Sequence, residues 1–144
     1  QPLSTASAAV MADVLARYVD FFSIGTALEV APGYDFSLSY LQVIAILLDN
    51  AISYTPKGGT VVLKCSETVK SNCIEVADSG IGIDDAAKKR IFDRFYRADE
   101  SRTSKSHFGL GLSIAKEIVE LHHGTILVSD TKGGGATFRI TLPK

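Results

Sequence analysis

Three groups of residues in this chain have types and spacings suited to chemistry. The first is Asp78, which closes the alternation Ile74, Val76, Asp78 and is followed at once by Gly80 and Gly82. Alternate residues of a strand share a face, so the carboxylate lies on the side of two apolar residues. An unpartnered carboxylate on a buried face is costly. An acceptor beside bare glycine backbone, by contrast, suits the exocyclic amine of a purine. The same residues also read as an Asp-Ser-Gly turn leaving a strand. The second group is Gly109 and Gly111, at the first turn of an expected helix. Free N–H groups and the helix dipole attract an anion there, although a tight loop-to-helix junction would look the same. Arg94, Arg97, Arg102 and Lys105, in the loop before it, would add phosphate donors. Arg102 and Lys105 read better as solvated charges. The third is Asn50, polar amid Leu47, Leu48, Ala51 and Ile52. Its amide oxygen suits Mg²⁺, which takes oxygen ligands and keeps waters and ligand phosphates around it. Tyr54, at i+4, shares the Asn50 side of that helix. The plainer alternative is an Asn50 that caps or hydrogen-bonds a neighbouring strand.

Commoner phosphate motifs are excluded by spacing. A dinucleotide fingerprint would need a third glycine where Asp85 follows Gly80 and Gly82, and where Ile114 follows Gly109 and Gly111. No Gly-Lys-Ser/Thr is present, which rules out a P-loop.

The elements that would position these groups follow from periodicity. Val10, Val14, Leu15, Tyr18, Phe21 and Phe22 predict an amphipathic helix over 5–22, capped by Ser4 or Thr5 and ending near Gly25. Residues 28–30 and 34–36 read as short strands about Pro32-Gly33. A second helix, capped by Ser37 or Ser39, runs through Leu41, Val43, Ile44, Leu47, Leu48, Ala51 and Ile52 and stops before Pro56. Residues 60–67 and 73–78 alternate as a hairpin, and Asp84 begins a short helical stretch up to Phe92. Residues 93–108 are polar and aperiodic, as expected of a long functional lid. Gly109-Leu110-Gly111-Leu112 opens a third helix, with Leu112, Ile114, Ala115, Ile118, Val119 and Leu121 expected on its buried side. His122 and His123 stand at its end and Gly124 is the expected stop. A last hairpin joins 125–129 to 136–142. The mixture of hairpins and helices predicts an α+β domain, a mostly antiparallel sheet covered on one face by helices.

Totals bound the rest. With 144 residues, 46% hydrophobic and 22% charged, the chain is sized for a single ordinary globular domain. A formal net charge of −1 gives no reason to expect nucleic acid or an anionic membrane as partner. The longest apolar run, Val43 to Leu48, is too short to span a bilayer. The start, Gln1-Pro2-Leu3-Ser4, has no Met and no signal-peptide pattern, so a piece of a longer protein is expected. Cys65 and Cys73 lie on strands expected to pair. A bridge is conceivable, but free thiols are the expectation, and two cysteines do not make a zinc site.

Together, Asn on a helix, Asp-x-Gly-x-Gly after a strand and Gly-x-Gly after a basic loop form a specific constellation. In these residues the chain resembles the catalytic and ATP-binding domain of bacterial two-component sensor histidine kinases. That family is part of the wider ATPase group with type II topoisomerases, mismatch-repair proteins and heat-shock chaperones. Residues 47–56, Leu-Leu-Asp-Asn-Ala-Ile-Ser-Tyr-Thr-Pro, look like its N box, and 78–83, Asp-Ser-Gly-Ile-Gly-Ile, like its first glycine box. Residues 91–97, Ile-Phe-Asp-Arg-Phe-Tyr-Arg, are similar to its F box, which the topoisomerase and chaperone branches lack. Residues 109–114 resemble its second glycine box, and Gly133 to Phe138 with Leu142-Pro143 its closing strand. The resemblance covers about Leu28 to Pro143.

The resemblance implies a two-layer α/β sandwich of the Bergerat type, a five-stranded mixed sheet backed by three helices. It implies ATP and Mg²⁺ as cofactors. Asp78 would accept from the adenine amine, with Gly80, Gly82 and Ile83 shaping the base pocket. Asn50 would hold Mg²⁺, Tyr54 would line the nucleotide, and Tyr96 and Arg97 would approach from the lid, Arg97 meeting the phosphates. Gly109, Leu110, Gly111 and Leu112 would offer backbone N–H groups to the phosphate chain. The γ-phosphoryl group would pass to a histidine on a separate dimerisation and phosphoacceptor helical domain, and from there to a response regulator. His107, His122 and His123 lie in no phosphoacceptor motif. The expected setting is a cytoplasmic domain, monomeric by itself, of a membrane-anchored parent. Departures from the pattern are Ile46 for a first asparagine, Ser53 for a cation, Ser106 and His107 for glycines, and Ala136 for a hydroxyl residue. Each lost charge-assisted contact would cost roughly 1.5–3 kcal/mol. Two alternatives therefore remain, a degenerate nucleotide-sensing or scaffold module and a serine-phosphorylating anti-sigma factor. The F box argues against the latter.

Overall fold

A computed structural model describes residues 25–30, 38–94, 96 and 111–144 of the chain. The expected helix over 5–22, the strand 34–36 and most of the loop 93–108 lie outside them. Five strands, β1 (Gly25–Val30), β2 (Thr60–Glu67), β3 (Ser71–Asp78), β4 (Thr125–Asp130) and β5 (Ala136–Pro143), form one sheet in the order β1-β2-β3-β5-β4. Only the β1–β2 pair is parallel, so the sheet is mixed and mostly antiparallel. Helices α1 (Leu38–Ser53) and α3 (Gly111–Leu121) cover one face, and a single turn, α2 (Asp85–Lys88), follows β3. This is the expected α+β sandwich, with two of its three expected long helices among the described residues.

The core lies between sheet and helices. Val43, Ile44, Leu47, Leu48, Ala51 and Ile52 form one stripe of α1. They meet alternate residues of the strands, Val61, Leu63 and Cys65 of β2, Ile74 and Val76 of β3, and Phe138, Ile140 and Leu142 of β5. The register sets Val76 opposite Phe138 and Val61 opposite Asp78, so Asp78 continues the buried row.

Helix α3 departs from its expected pattern. Ile114 and Leu121 are exposed, and Ser113, Ala115 and Val119 face inward. Leu121 is one heptad past Ile114, so both fall on the same outward stripe. Its end differs too. The left-handed residue is His123, at φ 61°, and Gly124 is required instead by close approach, since a Cβ there would press on the Thr141 carbonyl. Both cysteines are free thiols. Cys65 stands opposite Ile74 on the helix side, whereas Cys73, opposite Ser66, is on the other face. Their side chains therefore point apart, and no bridge can form within this register.

Phe138 is fully buried and meets Phe92 edge-on, with ring centroids 6.1 Å apart. Phe138→Ala is expected to lower stability by about 3–5 kcal/mol, read as a drop in the urea midpoint at unchanged slope. Burial, with the neighbouring Cys73 second, pushes the Cys65 thiol up to about 12. Iodoacetamide on the native protein should therefore label Cys73 alone, and Cys65 only after unfolding, as mass spectrometry of the peptides would show.

Candidate functional site

Asp78 ends β3 with its carboxylate turned into the helix-covered face, 3% exposed. Two main-chain donors hold the same oxygen, Oδ1. Gly80 N–H donates at 2.9 Å and Ala136 N–H at 3.1 Å. Among the described residues no donor meets Oδ2. The two amides come from the turn after β3 and from the first residue of β5, so the carboxylate pins both together.

Glycines make that convergence possible. A Cβ on Gly135 would overlap the Asp78 carbonyl, and φ there is +111°, a conformation that side chains disfavour. A Cβ on Gly80 would overlap the Tyr54 carbonyl, which in turn accepts from Ile81 N–H at 3.4 Å. The end of α1 is thereby stitched to the turn after β3. Ser79 faces away, its hydroxyl accepting from Thr60 N–H at 2.8 Å.

These elements enclose a pocket of about 150 Å³ lined by Asn50, Tyr54, Asp78, Gly82, Ile83 and Ala136, with Ile81, Asp84, Ala87 and Ile91 completing it. Asp84 is engaged as the cap of α2, accepting from Ala87 N–H at 2.7 Å. Asn50 is half-buried, and among the described residues its side-chain amide makes no hydrogen bond. An amide oxygen free at a pocket wall fits an Mg²⁺ ion shared with ligand phosphates and water. No group of three His, Cys, Asp or Glu side chains that could hold a metal ion occurs among the described residues.

The other expected site residues are placed differently. Gly80 acts through Asp78 and not as a wall. Gly111 opens α3, with Ile46 Cγ2 3.5 Å from where a Cβ on it would lie, and Leu112 packs against the core. Neither lines the pocket. Tyr96 packs on the core beneath the Arg90 guanidinium, 4.8 Å from its ring centroid, and lies outside the pocket too. Arg94 pairs with Glu117 of α3 at 3.4 Å. Arg97, Arg102, Lys105, Ser106, His107, Gly109 and Leu110 are outside the described residues. Sequence singles out neither Ala87 nor any pocket role for Ile91 and Gly135, which enter it only within the F-box and closing-strand stretches. The apolar spacing after Asp84 was the available signal for the first two.

A family profile for histidine kinase-, DNA gyrase B- and HSP90-like ATPases matches residues 37–144. The chain is 46% identical over 102 residues to the sensor protein CiaH of Streptococcus pneumoniae, covering 70% of this chain and 23% of that protein. It thus spans about a quarter of that relative. Among solved structures, mycobacterial sensor histidine kinase MprB matches with a TM-score of 0.80 at 27% identity, covering 99% of this chain and 97% of that one. Full-length ShkA in complex with AMPPNP matches with a TM-score of 0.74 at 26% identity, over 92% of this chain and 28% of that one.

Burial pushes the Asp78 carboxyl above the ordinary carboxylate range, opposed by the Ala136 and Gly80 amides. The folded chain then holds that proton more tightly than the unfolded one. The stability linked to Asp78 is full below its unfolded value and is lost as pH rises through the folded one. Asp78→Asn keeps the acceptor for both amides and never ionises. It is expected to melt no lower than the wild type at neutral pH, with its relative advantage shrinking toward about pH 4. Thermal melts across that range check this. A variant much less stable at neutral pH would show that the carboxylate stabilises the apo fold.

Proposed function

We propose that this chain, which belongs to the histidine kinase-, DNA gyrase B- and HSP90-like ATPase family, binds Mg·ATP and presents its γ-phosphoryl group to a histidine on a separate helical domain. The observation that carries this reading is Asp78, which lines a pocket with apolar walls at Ile83, Ala87 and Ile91 and whose Oδ2 is a buried acceptor with no described donor. The exocyclic amine of adenine supplies the missing donor, and Ile83, Ala87 and Ile91 supply contact for a flat base. That the similar protein ShkA is in complex with AMPPNP supports a nucleotide at this place.

Asn50 would hold the Mg²⁺ ion against the phosphates, and Tyr54 would flank the nucleotide. When bound, the ion supplies charge neutralisation to the triphosphate. Gly111, with Gly109, Leu110 and Leu112, would offer main-chain donors at the start of α3. Arg97 would close from the lid on the phosphates, with Tyr96 at the base of that lid packed on the core. Catalysis by this domain would then be positioning and charge stabilisation. The acceptor histidine and its base would belong to the dimerisation and phosphoacceptor domain of the parent kinase, which would pass the group to a response regulator. The proposed setting is a cytoplasmic domain of a membrane-anchored parent. Among the described residues no helix is long and apolar enough to cross a membrane.

A second reading, a nucleotide-sensing module of weak affinity, is favoured by two side chains. Ile46 packs against the core, and the Ser53 hydroxyl donates to the Asp49 carbonyl at 2.9 Å, so neither presents a cation or amide to a phosphate.

Calorimetry of the fragment with Mg·ATP and Mg·ITP separates these readings. ATP is expected to bind more tightly than ITP, which lacks the amine, and Asp78→Asn to weaken ATP binding by about ten- to a hundredfold. Phosphoryl transfer on adding the helical domain would identify the kinase, and binding without transfer the sensing module. No heat and no thermal shift at about millimolar nucleotide would sink both.

A further inference from the structure

Lys88 stands on α2 beside Ala87, a residue of the pocket wall. Its ammonium lies 2.7 Å from Asp130 Oδ1 and 3.1 Å from Asp85 Oδ1. The Asp85 contact stays within α2, whereas the Asp130 contact crosses to the last residue of β4. The Lys88 side chain is 18% exposed, while the Asp130 and Asp85 side chains are 71% and 95% exposed.

Asp130 has a direct relation to the pocket. It pairs in register with Ala136, whose N–H donates to Asp78 Oδ1. The turn between them is closed by Thr131 N–H donating to the Gly135 carbonyl at 3.0 Å and by the Thr131 and Thr137 hydroxyls at 2.8 Å. Helix α2, four residues long, is too short to hold itself in place by its own hydrogen bonds. Ala87 and Ile91 anchor it to the core, and Lys88 is its ionic link to the strand pair that carries Ala136.

We propose that Lys88 is a positioning residue, an ionic clamp between α2 and the end of β4 that sets the spacing between the Ala87–Ile91 wall and the Asp78–Ala136 wall of the pocket. As a device for reading adenine, the clamp rests on the nucleotide reading given above. Without it, α2 keeps only its apolar anchors, its distance from the amide that holds Asp78 is less well fixed, and the discrimination between an amine and a carbonyl on the purine weakens.

The test uses four variants, with calorimetry against Mg·ATP and Mg·ITP and hydrogen exchange at the Ala136 amide. Lys88→Met keeps the aliphatic stem and leaves two exposed carboxylates, so no buried charge is stranded. Lys88→Met and Asp130→Asn are each expected to weaken ATP binding by about three- to fivefold, as for a partly shielded ion pair, with less loss for ITP. Both should speed exchange at Ala136. Asp85→Asn, which leaves the cross-element contact intact, should change neither, and Lys88→Arg should behave as wild type. Equal loss for ATP and ITP would reduce Lys88 to general stability and overturn the proposal. So would wild-type affinity and wild-type Ala136 exchange in both Lys88→Met and Asp130→Asn. If the wild type binds no ATP yet Ala136 exchange accelerates in those two variants alone, the clamp stands and the nucleotide reading falls.

Discussion

A carboxylate taken out of water must be solvated by something else, and in this fold the main chain does it. Asp78 Oδ1 draws in an amide from the turn after β3 and an amide from the start of β5, residues far apart in the chain. Once those donors are fixed, much of the surrounding geometry has little freedom. The turn must run against the end of α1, where no side chain fits at Gly80. The β4–β5 turn must return over the Asp78 carbonyl, where none fits at Gly135. Among the described residues the second oxygen is left with no donor, a buried acceptor that a ligand's donor could satisfy.

The same arrangement divides the site electrostatically. The described pocket walls contain two carboxylates, Asp78 and Asp84, and no lysine or arginine. Such a surface suits a donor-bearing, uncharged base and repels a bare polyanion. In the proposed reading, charge compensation for a triphosphate would come from the rim, through a cation held at Asn50 and the main-chain donors at the start of α3. On that reading, base recognition would belong to the sheet and the end of α1, and phosphate recognition to the start of α3.

Much of this was legible in the sequence because it is local. Strand alternation placed Asp78 on the buried face, and helical spacing placed Asn50 and Tyr54 together. What stayed hidden depends on residues remote in sequence. That Gly135 packs on Asp78 follows from the β3–β5 register, which alternation within one strand does not reveal. On α3, hydrophobicity alone draws Ile114 and Leu121 into the core, yet both are exposed. The helix instead turns the smaller Ser113 and Ala115 inward, where Ser113 is 7% and Ala115 0% exposed. At its end a histidine took the left-handed position usually given to glycine, while Gly124 answered a steric demand from the Thr141 carbonyl on β5.

The two groups that hold Asp78 are peptide N–H groups, and every residue except proline carries one. Side-chain drift at Ala136 therefore leaves that donor in place, while replacements at Ala87 or Ile91 reshape the wall without touching it. A ligand that donates a hydrogen bond to Asp78 would engage the part of the cavity that mutation alters least. Its selectivity among related proteins, and the easiest escape from it, would both come from those two apolar positions.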